Sequence, residues 1–152
     1  MTILEFKDLI KNLSLAHKDV KTFDYGSDFD IAADKENTYP QVFLELPFLC
    51  EYDLEVNHHY DEVTIALNVL VNIAADDIDA DFVAINYAKN IGDILIKYIN
   101  EEIDEIKIQS SSSVSLREFS DDSVAGMRYD LVVLLPRICV DDWSEVFDIS
   151  KL

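Results

Sequence analysis

The sequence predicts an α+β fold, an antiparallel or mixed sheet with an N-terminal helix and a long central helix packed on it. Three observations predict it. A capped amphipathic segment opens the chain, apolar residues alternate from Val63 to Ile73, and helical periodicity follows from about Asp79 to Glu101. Shorter strand-like pieces lie on either side of that pair. With 152 residues, 49% of them hydrophobic, the chain is sized for one domain and one core. Residues 1–140 are assigned to that domain, and residues 141–152 to an acidic, aromatic arm.

Thr2 and Glu5 occupy the two positions of a capping box, so a helix is expected to begin there. Ile3, Phe6, Leu9, Ile10 and Leu13 recur at three- and four-residue steps, which assigns them to a core face through about Ala16. Residues 19–40 mix short apolar pieces with Gly26, several Asp and Asn, and Pro40, and read as a short strand followed by a long loop. Residues 41–56 give two extended pieces interrupted by Pro47, whose missing amide donor places the break at an edge, bulge or turn.

Val63, Ile65, Leu67, Val69, Val71 and Ile73 fall on one face of the next strand, with Thr64, Asn68 and Asn72 on the other. One buried and one polar face are expected. At ~3.3 Å per residue the alternating run covers ~36 Å, long enough to extend beyond its own subunit. The carboxylates of residues 76–81 suit the start of the following helix. That helix carries Phe82, Ile85, Ile91, Ile94, Leu95, Tyr98 and Ile99 at helical spacing and tolerates Gly92 in its interior. Its ~34 Å length matches the strand, so the two are expected to pack side by side. Residues 103–109 and 113–119 read as two strands joined by a flexible connector, the run Ser110 to Ser113. A last strand is expected from Met127, after a turn in which Asp121, Asp122 and Ser123 are turn formers and Gly126 takes a left-handed backbone.

Composition excludes several functions. Twelve Lys and Arg against thirty-one Asp and Glu give a formal charge of −19, which repels phosphate backbones and anionic lipid. Tight nucleic-acid binding and membrane association are not expected. Charges interrupt the apolar pattern of the first thirteen residues, so they form neither a signal core nor a span. Cys50 and Cys139 are too few for a disulfide framework and read as small core residues in a reducing compartment.

No catalytic, cofactor or metal residue is assigned. Gly26, Gly92 and Gly126 stand alone, whereas a phosphate cradle needs clustered glycines. Residues 77–82 alternate carboxylates like a calcium loop, but Phe82 and Val83 stand where the turn glycine belongs and Ala88 occupies the closing position. Adjacent His58 and His59 point to opposite faces of an extended chain. The serine run lacks a glycine-flanked elbow. Candidate contact residues are Tyr25 and Tyr39 on the long loop, Arg117 and Arg128 as partners for carboxylates, and Trp143, Phe147 and Ile149 on the arm. For either arginine the carboxylate is expected on a neighbouring strand or subunit, with Asp121 and Asp122 as the internal candidates for Arg128.

Residues 38–47, the strand and helix of residues 61–102 and the segment of residues 121–139, together with the element order, resemble the tail-terminator or tail-completion proteins of the tailed-bacteriophage neck. The last segment is similar to phage proteins of Bacteroidetes hosts, crAss-like phages among them. The resemblance implies a small α/β domain in a sixfold or twelvefold homo-oligomeric ring, between portal or connector and tail, through which DNA passes without specific binding. It implies a structural virion protein made in the host cytoplasm, with neighbouring neck and tail proteins as partners, no cofactor and no catalytic residues. The acidic arm departs from the family pattern. The charge also admits an alternative, a small DNA mimic that inhibits a host DNA-binding defence protein.

Overall fold

The computed structural model describes residues 1–27, 38–46, 48–51, 60–73, 78–117 and 124–136. Helix α1 spans Ile3–Ala16, strand β1 Thr22–Gly26, β2 Gln41–Glu45, β3 Leu49–Glu51 and β4 Tyr60–Asn72. Helix α2 spans Ile78–Glu102, followed by β5 at Lys107–Leu116 and β6 at Val124–Pro136. The strands form one mixed sheet in the order β1-β2-β4-β6-β5, with β3 also on β4. β1 runs parallel to β2, and the remaining pairings are antiparallel. The fold is α+β, with both helices packed on one face of the sheet.

The first helix begins as its cap dictates. Thr2 Oγ1 accepts from the Glu5 amide at 3.1 Å, and Glu5 Oε2 accepts from the Thr2 amide at 2.6 Å. The hydrogen bonds from Thr2 hold the Glu5 carboxyl below its ordinary range. Phe6, Ile10 and Ser14 form the buried line at four-residue steps. Ile3 precedes Phe6 by three residues, falls off that line and is exposed, unlike the core position expected of it.

The long strand alternates as predicted, with Val63, Ile65, Leu67 and Val69 buried against the helices. Its length is absorbed within the chain. β6 pairs it residue for residue from Tyr60↔Pro136 to Asn72↔Val124, while β2 and β3 follow one another along its other side. β4 is thus the centre of the sheet and not an extension toward a neighbour. Nor is its second face polar and wet. Asn68 and Leu70 are completely buried there, and Phe43, Leu70 and Val124 form a second apolar cluster that Tyr39 and Leu116 flank. Asn68 Nδ2 is hydrogen-bonded within the sheet face, while its Oδ1 has no hydrogen-bond partner among the described residues.

Helix α2 follows the predicted limits closely, but its buried line runs through Ala84, Ala88, Ile91, Leu95 and Ile99. Phe82, Ile94 and Tyr98 are exposed. The small alanines let the helix approach the sheet, and a count of large apolar residues passes over them. Gly92 is likewise a packing requirement. A Cβ there would lie 2.2 Å from the Tyr129 ring. The Tyr129 hydroxyl lies 3.0 Å from both the Lys89 carbonyl oxygen and an Asp93 carboxylate oxygen. Burial, then the Asp93 carboxylate, push its pKa well above the ordinary tyrosine value.

Two further expectations are corrected. The run Ser110 to Ser113 is not a connector between strands but the centre of the continuous strand β5, whose register shifts between Ile108 and Ser110 and is regular thereafter to Leu116. Serine supplies no apolar alternation, and β5 has almost no buried position that would demand one. β6 starts at Val124, so Gly126 lies inside a strand opposite Leu70 and has no positive φ. Its missing side chain serves close approach, since a Cβ would lie 2.0 Å from the Val69 carbonyl oxygen. Asp121, Asp122 and Ser123 lie outside the described residues.

Candidate interaction surfaces

The residues singled out from sequence do not converge on one patch. Tyr25 is exposed on β1, with Lys7 Nζ of α1 4.8 Å from its ring centroid. Tyr39 is half-buried against the cluster on the face away from the helices. Arg117, at the end of β5, forms an ion pair with Asp81, a buried carboxylate in the first turn of α2. Arg128 sits in the middle of β6. Its partners are Glu45 and Asp130, carboxylates on its own sheet face. Trp143, Phe147 and Ile149, like His58, His59 and Cys139, lie outside the described residues.

Around Arg128 the outer sheet face carries a compact polar network. Arg128 Nη1 donates to Glu45 Oε1 at 2.5 Å and Nε donates to Asp130 Oδ1 at 3.1 Å. Asn68 Nδ2 donates to the same Glu45 oxygen at 2.7 Å. Glu45 is almost wholly buried, so its two donors offset the cost of removing a carboxylate from water. Burial works against the Arg128 charge, but hydrogen bonding to Asp130 and the charge of Glu45 outweigh it and hold the guanidinium above its ordinary pKa. The network borders a shallow depression of about 220 Å³, lined also by Leu46, Leu49 and Thr64. Its charges are paired with one another, as in a structural lock, while the buried Asn68 Oδ1 has no hydrogen-bond partner among the described residues.

The helix layer presents a different surface. Leu13, Ala16, His17, Ile94, Leu95 and Tyr98 line an apolar groove of about 210 Å³ between α1 and α2. Ile94 is 54% exposed and Tyr98 49%, although both are large apolar side chains on a highly charged protein. Their spacing explains this placement. Residues 94 and 98 follow the buried pair Ile91 and Leu95 by three residues, which rotates them off the core line toward α1.

The third surface is the edge formed by β5. Its residues from Gln109 to Ser115 are exposed, because α2 packs mainly over β6 and β4 and meets β5 only along its margin. The step between α2 and β5 is a groove of about 480 Å³ with Asp93, Lys97 and Glu101 on one wall and the serine run on its floor. Along that helix Lys89 pairs with Asp93, and Lys97 Nζ lies 3.9 Å from Glu101 Oε2. The sequence signal for this edge lies in charge and not in hydropathy. Residues 106–117 contain no acid in a chain where one residue in five is acidic, and the only longer acid-free stretch, residues 63–75, is mostly the central strand.

Among the described residues no group of three or more His, Cys, Asp and Glu is arranged to hold a metal ion. No described helix is long and apolar enough to cross a membrane. The chain matches no protein-family model, and no curated protein sequence matches it.

Proposed function

We propose that this chain is a structural, non-enzymatic subunit of the neck of a tailed bacteriophage, one protomer of a homo-oligomeric ring joining the portal or connector to the tail. The observation that carries an assembly role is the apolar groove between α1 and α2, with Ile94 and Tyr98 uncovered on a protein of formal charge −19. Half-exposed large apolar side chains concentrated in one groove are what a protein neighbour covers. A closed ring needs two different surfaces on each protomer, one for the neighbour ahead and one for the neighbour behind. The helix-layer groove supplies one such surface. The assignment to a phage neck rests on the resemblance of the sheet-and-helix segments to tail-terminator proteins. The charge is consistent with a conduit, because carboxylates facing a channel repel phosphate and let a duplex slide.

The test is particle mass and shape. Light scattering and electron microscopy of the purified chain, alone and added to tail or portal complexes, are expected to show a closed ring or a protomer that closes into one on its partner. A chain that forms no ring under any of these conditions and is absent from purified virions would falsify the reading.

A further inference from the structure

We infer that the β5 edge is a self-complementary surface that pairs two copies of this chain about a two-fold axis through the serine run, joining their sheets edge to edge. The first argument is backbone chemistry. β5 is regular from Ser110 to Leu116, its far side carries no described strand, and a strand can pair antiparallel with a copy of itself. With the axis at Ser112, Ser111 stands opposite Ser113 of the second copy and Ser110 opposite Val114. Residues on the helix side of one sheet then meet residues on the helix side of the other. Small serines leave this junction free of steric obstruction and support cross-strand hydrogen bonds.

The second argument is electrostatic. Two copies of a −19 protein repel, and a contact between them forms most readily where acids are missing. The acid-free residues 106–117 coincide with the open edge. Beside that edge α2 bears the alternating series Lys89, Asp93, Lys97 and Glu101, all about half exposed or more. A two-fold axis reverses such a series against itself. Lys89 then faces Glu101 of the second copy, and Asp93 faces Lys97.

The two arguments place the axis at the same level. Tyr129, the register partner of Ser113, reaches Gly92 and Asp93 on α2. The midpoint of the charge series, near Leu95, lies ~3–4 Å farther toward the helix C-terminus at ~1.5 Å per residue. At ~3.3 Å per residue that is about one position back along β5, at Ser112. The two α2 helices would stand on β6 strands three strand spacings apart, ~14 Å, a gap that lysine and carboxylate side chains reach across. The groove between α2 and β5 is the room they occupy. This inference is independent of the ring reading, since a two-fold pair uses β5 and leaves the helix-layer groove to other neighbours.

The experiment compares the mass of the full chain with that of Ser112→Glu by light scattering or sedimentation. The wild-type mass is expected to be an even multiple of the protomer and to halve in Ser112→Glu, whether from two copies to one or from a double ring to a single ring. Lys97→Glu is expected to weaken the pair roughly three- to tenfold, two exposed ion pairs being lost at once. Equal masses for wild type and Ser112→Glu, or a wild type that stays a single copy at all concentrations, overturn the inference. A ring unaffected by Ser112→Glu overturns it while leaving the ring reading in place. To guard against a variant that does not fold, Ser112→Cys in a chain with Cys50 and Cys139 changed to serine is expected to form a disulfide-linked pair under mild oxidation. Tyr25→Cys in the same background is not, and equal cross-linking at the two positions would count against the pair.

Discussion

The sheet has two edges, and they are finished in opposite ways. β1 is five residues long, lies parallel to its neighbour and borders α1, whose Lys7 sits over the Tyr25 ring. Its side chains bond one of its own amides and a neighbouring carbonyl. Asp24 Oδ1 accepts the Tyr25 amide at 2.8 Å, and the Thr22 hydroxyl donates to the Thr38 carbonyl at 2.5 Å. β5 is ten residues long, antiparallel to its neighbour, exposed on both faces and free of acids. An edge strand can be blunted by shortness, by charge or by a covering element, and β1 uses all three. Among the described residues, β5 uses none along its regular portion. Its bulge lies near the start, between Ile108 and Ser110. The two edges of one sheet are thus treated differently: β1 is closed by local side chains, and β5 lies exposed among the described residues.

The largest expected effect comes from disturbing the close approach of α2 to β6. Gly92 lets the Tyr129 ring pass beneath the helix, and any Cβ would overlap it by more than a side-chain adjustment in a packed core easily absorbs. Gly92→Ala is therefore expected to destabilise the fold by roughly 2–3 kcal/mol, at the upper end of ordinary overpacking. It would show as a lower denaturation midpoint. Hydrogen exchange should rise first in β5 and β6 and less in β1 and β2, because the strained contact lies on that side. An unchanged midpoint would mean that α2 does not sit as close to β6 as described.

A smaller effect on the same side follows from Tyr129→Phe. It removes a hydroxyl placed 3.0 Å from two acceptors, worth about 1 kcal/mol, and keeps the ring in place. The alkaline behaviour gives it a signature. The folded-state pKa of Tyr129 is raised by burial and by Asp93, so the folded protein retains this proton after the unfolded chain has lost it. The stabilisation it provides is complete below about pH 10, where an unfolded tyrosine ionises, and declines as pH rises beyond that point. Urea titrations at increasing pH should show a shallower alkaline loss in Tyr129→Phe than in the wild type. Parallel curves would assign the loss to the other tyrosines, Tyr87 among them.

The two edges were unequally legible in the sequence. Helix α1 announced itself through a capping box and a four-residue repeat, and β4 through alternation strong enough to fix which residues face the helices. Those signals are local. β5 carries no alternation because neither of its faces is buried, and four serines in a row resemble a linker more than a strand. Only its pairing with β6 makes it a strand, and pairing is a non-local property. The candidate contact residues show the same limit. Arg128 was recognisable as a cation in need of a carboxylate, but its partner Glu45 lies far away in sequence and reaches it through the β2–β4–β6 register. The apolar groove was hidden for another reason. Ile94 and Tyr98 fit helical spacing as well as the buried residues do, and only the small size of Ala84 and Ala88 marks the true core line.

The smallest expected effect on stability belongs to the closed edge and probes the comparison most directly. Asp24→Ala takes away the acceptor of the Tyr25 amide at a position partly open to water, so the folded protein should lose only about 0.5 kcal/mol. Its effect on association should be larger. With the amide released and the charge gone, β1 becomes an open edge at the opposite side of the sheet from β5, and a protomer with two open edges can join neighbours on both sides. Such contacts do not close, so light scattering should report growth beyond a pair that depends on concentration. Adding Ser112→Glu to Asp24→Ala should confine association to β1 and return a bounded mass. If Asp24→Ala leaves the mass unchanged, the carboxylate is not what closes β1, and the remaining barriers are its length and the cover that α1 provides. The contrast between the edges would then lie in how much strand each exposes, and lengthening β1 would be the change that erases it.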